Sequence, residues 1–235
     1  MMTSMGNDKL QYLVFAGLSL VVVALTAVLS FTSKQPFQRF IGNVHPLLAV
    51  PAAIILGAAL LLYLRAQFGF VIFATENHKG ILYAVGVASL LGIIIILVDT
   101  QIVFPQDTNV LFPESLLFYP AIGFFVEMLF HILPLALLLF VFSYAFKTLN
   151  SETIIWLAIL IIACLEPPYH MVDMLQANQF PVWAVAFVGL HVFVFNFIQL
   201  FFFKRFDFVS MYTFRLVYYL FWHIGWGFVR LKLLF

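Results

Sequence analysis

The stretch LFYPAIGFFVEMLFHILPLALLLFVFSYAFK, residues 117–147, decides the fold class. Before its final lysine, the only acidic, basic or imidazole side chains are Glu127 and His131. A run this long and apolar predicts an α-helix that crosses the hydrocarbon layer of a membrane, which is about 30 Å thick. Four residues make about 1.1 helical turns, so the two side chains point the same way. Because an ionisable group is costly at that depth, the pair indicates a functional site.

The composition extends this interpretation to the whole chain. Of 235 residues, 65% are hydrophobic and 9% are charged, whereas a soluble domain has about 25% charged residues. We therefore predict an all-α, polytopic transmembrane helical bundle whose partner is the lipid bilayer. The net charge of +1 gives no indication of a nucleic-acid partner. The single cysteine, Cys164, excludes a disulfide framework or a cysteine-based metal site, and we interpret it as a buried small residue.

Apolar runs divide the chain into seven predicted spans, and an eighth is present if residues 68–74 re-enter the bilayer. Without internal repeats or a soluble segment, residues 1–235 form a single integral membrane domain. Prolines are predicted to break the helices at Pro120, Pro134, Pro167 and Pro168. The predicted spans are residues 11–31, 46–66, 80–103, 117–146, 153–172, 181–203 and 211–231.

The distribution of Lys and Arg predicts the orientation in the membrane. Seven spans place seven basic residues on the side of the N-terminus and four on the other side, and the connection 99–120 carries acidic residues only. We therefore expect a cytoplasmic N-terminus in the inner or plasma membrane of the cell. The basic residues on the N-terminal side are Lys9, Arg65, Lys79, Lys147, Lys204, Arg205 and Arg215; those on the other side are Lys34, Arg39, Arg230 and Lys232.

Further polar side chains lie in or beside the later spans. Glu166 and His170 repeat the Glu/His spacing, but the two prolines between them prevent a regular helix before His170. His191 and Asn196 are five residues apart, about 140° around a helix, so both cannot centre on one target. We interpret Glu166, His191 and Asn196 as supporting residues, with packing between helices as the alternative role.

His223 lies well inside the last span, next to Gly225 and Gly227, which permit close approach of another backbone or a substrate. A buried carboxylate with several imidazoles fits two chemistries. Glu127 acts as a general base on water while histidines stabilise an oxyanion, or Glu127, His170 and His223 ligate a divalent metal such as zinc. The sequence lacks a His-Glu-x-x-His motif, which weakens the metal interpretation. A proton relay in a transporter, or a non-catalytic scaffold, is a further alternative.

The segment Phe-Val-Glu127-Met-Leu-Phe-His131 resembles the first motif, Glu-Glu-x-x-x-Arg, of the CPBP family. These are the CAAX-processing and bacteriocin-processing, or ABI-type, glutamate intramembrane proteases. Their second motif is Phe-x-x-x-His and their third is His-x-x-x-Asn, which correspond in order to His170 and His223 here. The resemblance covers about residues 115–230. Here Val126 replaces the first Glu and His131 the Arg.

The resemblance implies hydrolysis of a peptide bond inside the bilayer. Glu127 would activate water, His170 and His223 would bind the water or the oxyanion, and His131 would tune Glu127. The expected substrate is a hydrophobic or lipid-anchored peptide. The sequence indicates no definite cofactor, and a divalent metal such as zinc is the one candidate.

Overall fold

The computed structural model describes residues 2–33, 35–177 and 179–235, with side chains from residue 9 onward. Over these ranges the chain is all-α, without a β-strand, which confirms the predicted fold class. The helices are α1 (Met2–Thr32), α2 (Gln35–Ile41), α3 (Pro46–Phe68), α4 (His78–Ile102), α5 (Glu114–Val126), α6 (Leu133–Ala145), α7 (Ser151–Ala163), α8 (Pro167–Ala177), α9 (Val182–Arg205), α10 (Phe208–Tyr219) and α11 (Gly227–Leu233). Two π-helical segments, π1 (Glu127–Ile132) and π2 (Leu220–Trp226), join α5 to α6 and α10 to α11.

Six helical stretches are long and apolar enough to cross a membrane, and each coincides with one of the predicted spans. Only a helix satisfies its own backbone groups in hydrocarbon, which is why apolar runs of this length become helices. The structure therefore supports an integral membrane protein. The six stretches are Lys9–Thr32, Pro46–Phe68, Thr75–Ile102, Glu114–Ala145, Ser151–Ala177 and Val182–Arg205.

The seventh predicted span is also helical, as the continuous stretch 208–233 formed by α10, π2 and α11. It lies within the bundle, where α10 contacts α4, α5 and α9. This stretch contains Arg215, His223, Arg230 and Lys232, and it is not among the six stretches that are apolar enough to cross a membrane. The orientation count placed Arg215 on the side of the N-terminus; in the structure the residue lies on α10 and is only 3% exposed.

The predicted proline breaks are only partly present. Pro120 lies inside α5 without ending it, which corrects the prediction at that position. Before Pro134 the helix widens to π1, in which the Leu133 N–H bonds to the Met128 carbonyl, five residues back. Pro167 and Pro168 start α8 after a turn at 164–166, because proline suits the first turn of a helix but not its interior. Cys164 lies in that turn and is exposed, contrary to the prediction that it is buried.

Residues 68–74 form no eighth helix. Gly69 ends α3 in the left-handed conformation, with φ of 71°. The carbonyls of Val71 and Ile72 then accept hydrogen bonds from the first two N–H groups of α10. The segment is thus an ordered connection that fixes α3 against the turn between α9 and α10.

The packing of α3 positions π1. A Cβ atom added at Gly57 would lie 2.0 Å from the Met128 Sδ atom, so α3 packs directly on the end of the Met128 side chain and leaves no room for a methyl group unless that side chain shifts. Met128 follows Glu127 directly and is completely buried. On the other sides, π1 contacts α5 and α6. The widened turn that carries Glu127 and His131 is therefore held in the centre of the bundle.

Candidate functional site

The centre of the site is an ion pair between Glu127 of π1 and Arg215 of α10. The Arg215 Nε group donates to Glu127 Oε1, and the two residues are 3% and 0% exposed for Arg215 and Glu127 respectively. Arg215 also donates from Nη1 to the Tyr219 hydroxyl (2.6 Å) and from Nη2 to Gln199 Oε1 (3.1 Å). A buried charge is tolerated only when it is paired and hydrogen-bonded, and these contacts meet that requirement for the guanidinium.

His131 lies on the other side of Glu127. Its Nδ1 atom is 3.3 Å from Glu127 Oε2, and its Nε2 atom is 3.3 Å from Asn196 Oδ1. The predicted proximity of Glu127 and His131 is confirmed, although the two residues share a π-helical rather than an α-helical turn. Such widened turns are rare and are frequent at functional sites.

Asn196 extends the contacts to the turn between α7 and α8. Its Nδ2 group donates to Glu166 Oε2 at 2.8 Å, and Glu166 Oε1 is 3.2 Å from His170 Nε2. The side chains of His170 and Glu166 are 41% and 38% exposed, whereas that of Glu127 has no exposed surface. The site therefore has an accessible end at His170 and a closed end at Glu127. We call this series of contacts, from His170 through Glu166, Asn196, His131 and Glu127 to Arg215, the polar chain.

Two predicted site residues have other partners. His223 donates through Nδ1 to Asn109 Oδ1 at 2.6 Å and stacks on Tyr119, with 4.5 Å between ring centroids. His191 contacts the Tyr218 hydroxyl through Nε2 at 3.0 Å. The prediction that His191 and Asn196 do not share a target is confirmed, because Asn196 belongs to the polar chain and His191 has a different partner.

The residues do not fit a metal centre. Among the residues that the structure describes, no three His, Cys, Asp or Glu side chains lie close enough together to hold an ion. Glu127 is occupied by Arg215, and His170 is bound to Glu166. The structure therefore does not support the predicted zinc site, because Glu127, His170 and His223 each contact a different partner.

Sequence reasoning missed the cation of the site. Arg215 sits in the run Phe214–Tyr219, whose apolar and aromatic side chains continue into the rest of the predicted span. An arginine seven residues inside the helical stretch 208–233 is a signal in itself, because guanidinium groups in membrane helices face partners in the bundle. The sequence does not show which carboxylate pairs with Arg215, because that depends on how α10 packs against α5 and π1.

A second buried ion pair, which we call the outer pair, joins the C-terminal end of α4 to α11. Asp99 and Arg230 are both completely buried, with Arg230 Nε to Asp99 Oδ2 at 2.8 Å and Arg230 Nη2 to Asp99 Oδ1 at 3.0 Å. Trp226 Nε1 and the Phe104 N–H also donate to the carboxylate. Arg230 further donates to the carbonyls of Pro105 and Phe104, so this pair fastens the connection that follows α4.

Comparison with known proteins identifies no relative. No family model, curated protein or solved structure matches the chain.

Proposed function

We propose that the chain is a membrane-embedded hydrolase whose reactive group is His170, oriented by Glu166. The observation that carries this proposal is the accessible carboxylate–imidazole pair at the turn between α7 and α8. An ionised carboxylate can only accept, so His170 Nε2 carries the proton in this contact and Nδ1 is the basic nitrogen. Asn196 fixes the other oxygen of Glu166 at 2.8 Å, which holds the pair in place.

The chemical step follows from that arrangement. His170 Nδ1 accepts a proton from water as the water oxygen bonds to the carbonyl carbon of the substrate. The protonated imidazole then gives that proton to the leaving nitrogen as the C–N bond breaks, so one water is consumed and the histidine is restored. Glu166 remains ionised and stabilises the imidazolium between the two steps.

The surroundings of this pair favour a substrate that arrives through the bilayer. Leu165, Tyr169 and Val172 flank it and are 59%, 66% and 47% exposed. Exposed apolar side chains beside a polar pair suit a hydrophobic or lipid-anchored peptide, which is the substrate class that the resemblance to CPBP proteases implies. The assignment of water activation to Glu127 stays a prediction. We favour His170 because Glu127 is closed to solvent and bound to Arg215.

Hydrolysis of quenched fluorescent peptides by protein in liposomes tests the proposal. The peptide panel includes hydrophobic and lipid-anchored sequences. We expect His170→Ala to lower the rate 10²- to 10⁴-fold, the usual contribution of a general base. Glu166→Gln should lower it as well, whereas Glu127→Gln should retain cleavage. His78→Ala, at the exposed first residue of α4, is the matched control. Undiminished cleavage in both His170→Ala and Glu166→Gln, or no cleavage of any peptide by the wild type, would contradict the proposal.

A proton-coupled transporter is the second candidate, and the continuity of the polar chain favours it. The contacts connect the half-exposed His170 to the closed Glu127 across π1, α8 and α9. This candidate predicts proton uptake into liposomes under an imposed pH gradient, lost in His170→Ala. Proton uptake without peptide cleavage would favour the transporter over the hydrolase.

A further inference from the structure

The buried contact between the side chains of Glu127 and His131 lacks a hydrogen bond. Glu127 Oε2 and His131 Nδ1 are 3.3 Å apart, and both atoms are buried. Within the described part of the chain, neither atom has a hydrogen-bond partner. A buried polar atom without a partner costs about 1–3 kcal/mol, so two such atoms facing each other in a membrane interior require an explanation.

The neighbours determine which atoms carry hydrogen. Asn196 donates through Nδ2 to Glu166, which leaves Asn196 Oδ1 as the atom that faces His131. His131 Nε2 must therefore be the donor to Asn196, and in a neutral imidazole Nδ1 is then an acceptor. Glu127, if ionised, is also only an acceptor. Two acceptors would face each other at 3.3 Å, unless a proton lies between them.

We infer that Glu127 and His131 together form a buried proton-binding site, with one proton held between Oε2 and Nδ1. A proton there turns a contact between two acceptors into an attractive one. The inference does not depend on the proposed hydrolase activity, because it rests on the closed end of the polar chain rather than on His170.

The charged groups around the pair are Arg215, which is bound to Glu127 Oε1, and the partly exposed Glu166, which reaches His131 through Asn196. The other titratable groups facing the site are Tyr212 and Tyr219 of α10, of which Tyr219 bonds to Arg215, and His170, which reaches it through Glu166 and Asn196.

Glu127→Gln provides a sharp test because glutamine reproduces the protonated arrangement. Its amide nitrogen donates to His131 Nδ1 and its carbonyl oxygen accepts from Arg215, without a bound proton. We expect this variant to fold with a stability equal to or above that of the wild type. Failure of Glu127→Gln to fold would overturn the inference, since it would show that Arg215 requires an ionised partner.

The proton itself is counted during unfolding. At about pH 8, separate Glu and His side chains in the unfolded chain hold almost no proton. We expect the wild type, unfolded by SDS in weakly buffered mixed micelles with a pH-sensitive dye, to release one more proton per chain than Glu127→Gln. Glu152→Gln, which changes an exposed carboxylate bound to Lys204, is the matched control and should release as much as the wild type. Equal release by the wild type and Glu127→Gln would overturn the inference.

The pH dependence of stability has a defined sign. The folded wild type holds one proton more than the unfolded chain above about pH 6.5, so its stability falls as the pH rises. The unfolding equilibrium constant is expected to increase by up to tenfold per pH unit until the shared proton is lost. For Glu127→Gln this increase should be absent over the same range, and a parallel increase in both proteins would contradict the inference.

Discussion

This protein has two buried arginine–carboxylate pairs. They differ in whether both oxygens of the carboxylate accept hydrogen bonds. In the outer pair, Arg230, Trp226 and the Phe104 N–H give each oxygen of Asp99 two donors. In the central pair, Glu127 Oε1 accepts from Arg215, whereas Oε2 faces His131 without a hydrogen bond. A fully satisfied pair has one stable state and acts as a fastening. An incompletely satisfied pair beside a histidine has two protonation states, which is a property of functional sites.

The largest expected effect is at the outer pair. Arg230→Met leaves the Asp99 carboxylate buried without its cation, and breaking such a pair costs about 3–5 kcal/mol. It also frees the carbonyls of Phe104 and Pro105, so the connection after α4 should become sensitive to proteolysis. Unfolding in SDS measures the loss. Lys232→Met is the matched control, because Lys232 is exposed on the same helix and loses only its contact with the Phe228 ring, so stability should change by less than about 1 kcal/mol.

A smaller loss is expected at the central pair, although the substitution is the same. In Arg215→Met, the proton shared with His131 can stay on Glu127, which makes the carboxyl neutral and leaves mainly lost hydrogen bonds, about 1–3 kcal/mol. The loss should grow as the pH is raised, because removal of that proton exposes the uncompensated charge. Equal losses for Arg215→Met and Arg230→Met at all pH values would show that the two pairs do not differ in this way.

The fold was largely predictable from the sequence, and the site only in part. Span positions follow from apolar runs, because hydrocarbon leaves the backbone no alternative to a helix. Glu127 and His131 were also predictable as neighbours, since they share one turn. Arg215 and Asn196 were not predictable as their partners, because those contacts depend on the rotation and packing of α9 and α10. His223 shows the same limit, since its partner Asn109 comes from a distant connection.

The link between the two ends of the polar chain is tested at Asn196. Asn196→Leu keeps the volume but removes the donor to Glu166 and the acceptor for His131, at a cost of about 1–3 kcal/mol. Peptide cleavage should fall as well, because Glu166 then loses one of its two fixed contacts. Gln199→Leu is the comparison, since Gln199 contacts Arg215 alone among these groups; it should leave the Glu166–His170 pair and cleavage unchanged. Full cleavage in Asn196→Leu would show that the accessible pair is held without the amide.

The smallest expected effect concerns the packing that holds π1. A methyl group at Gly57 would overlap the end of the Met128 side chain, at 2.0 Å from Sδ and 2.8 Å from Cγ. Because a methionine side chain is flexible, Gly57→Ala should cost about 1–2 kcal/mol rather than prevent folding. Gly17→Ala is the control, since a Cβ there has nothing within 4 Å and the better helix propensity of alanine should leave stability equal or slightly higher. If the overlap with Met128 is the cause, Met128→Ala in the same chain should remove most of the additional cost of Gly57→Ala, and strictly additive losses would place the cause elsewhere.

Since Met128 is adjacent to Glu127, a shift of π1 should also weaken the contact between Glu127 and His131. Gly57→Ala should therefore release less than the extra proton expected of the wild type on unfolding, whereas Gly17→Ala should release it in full.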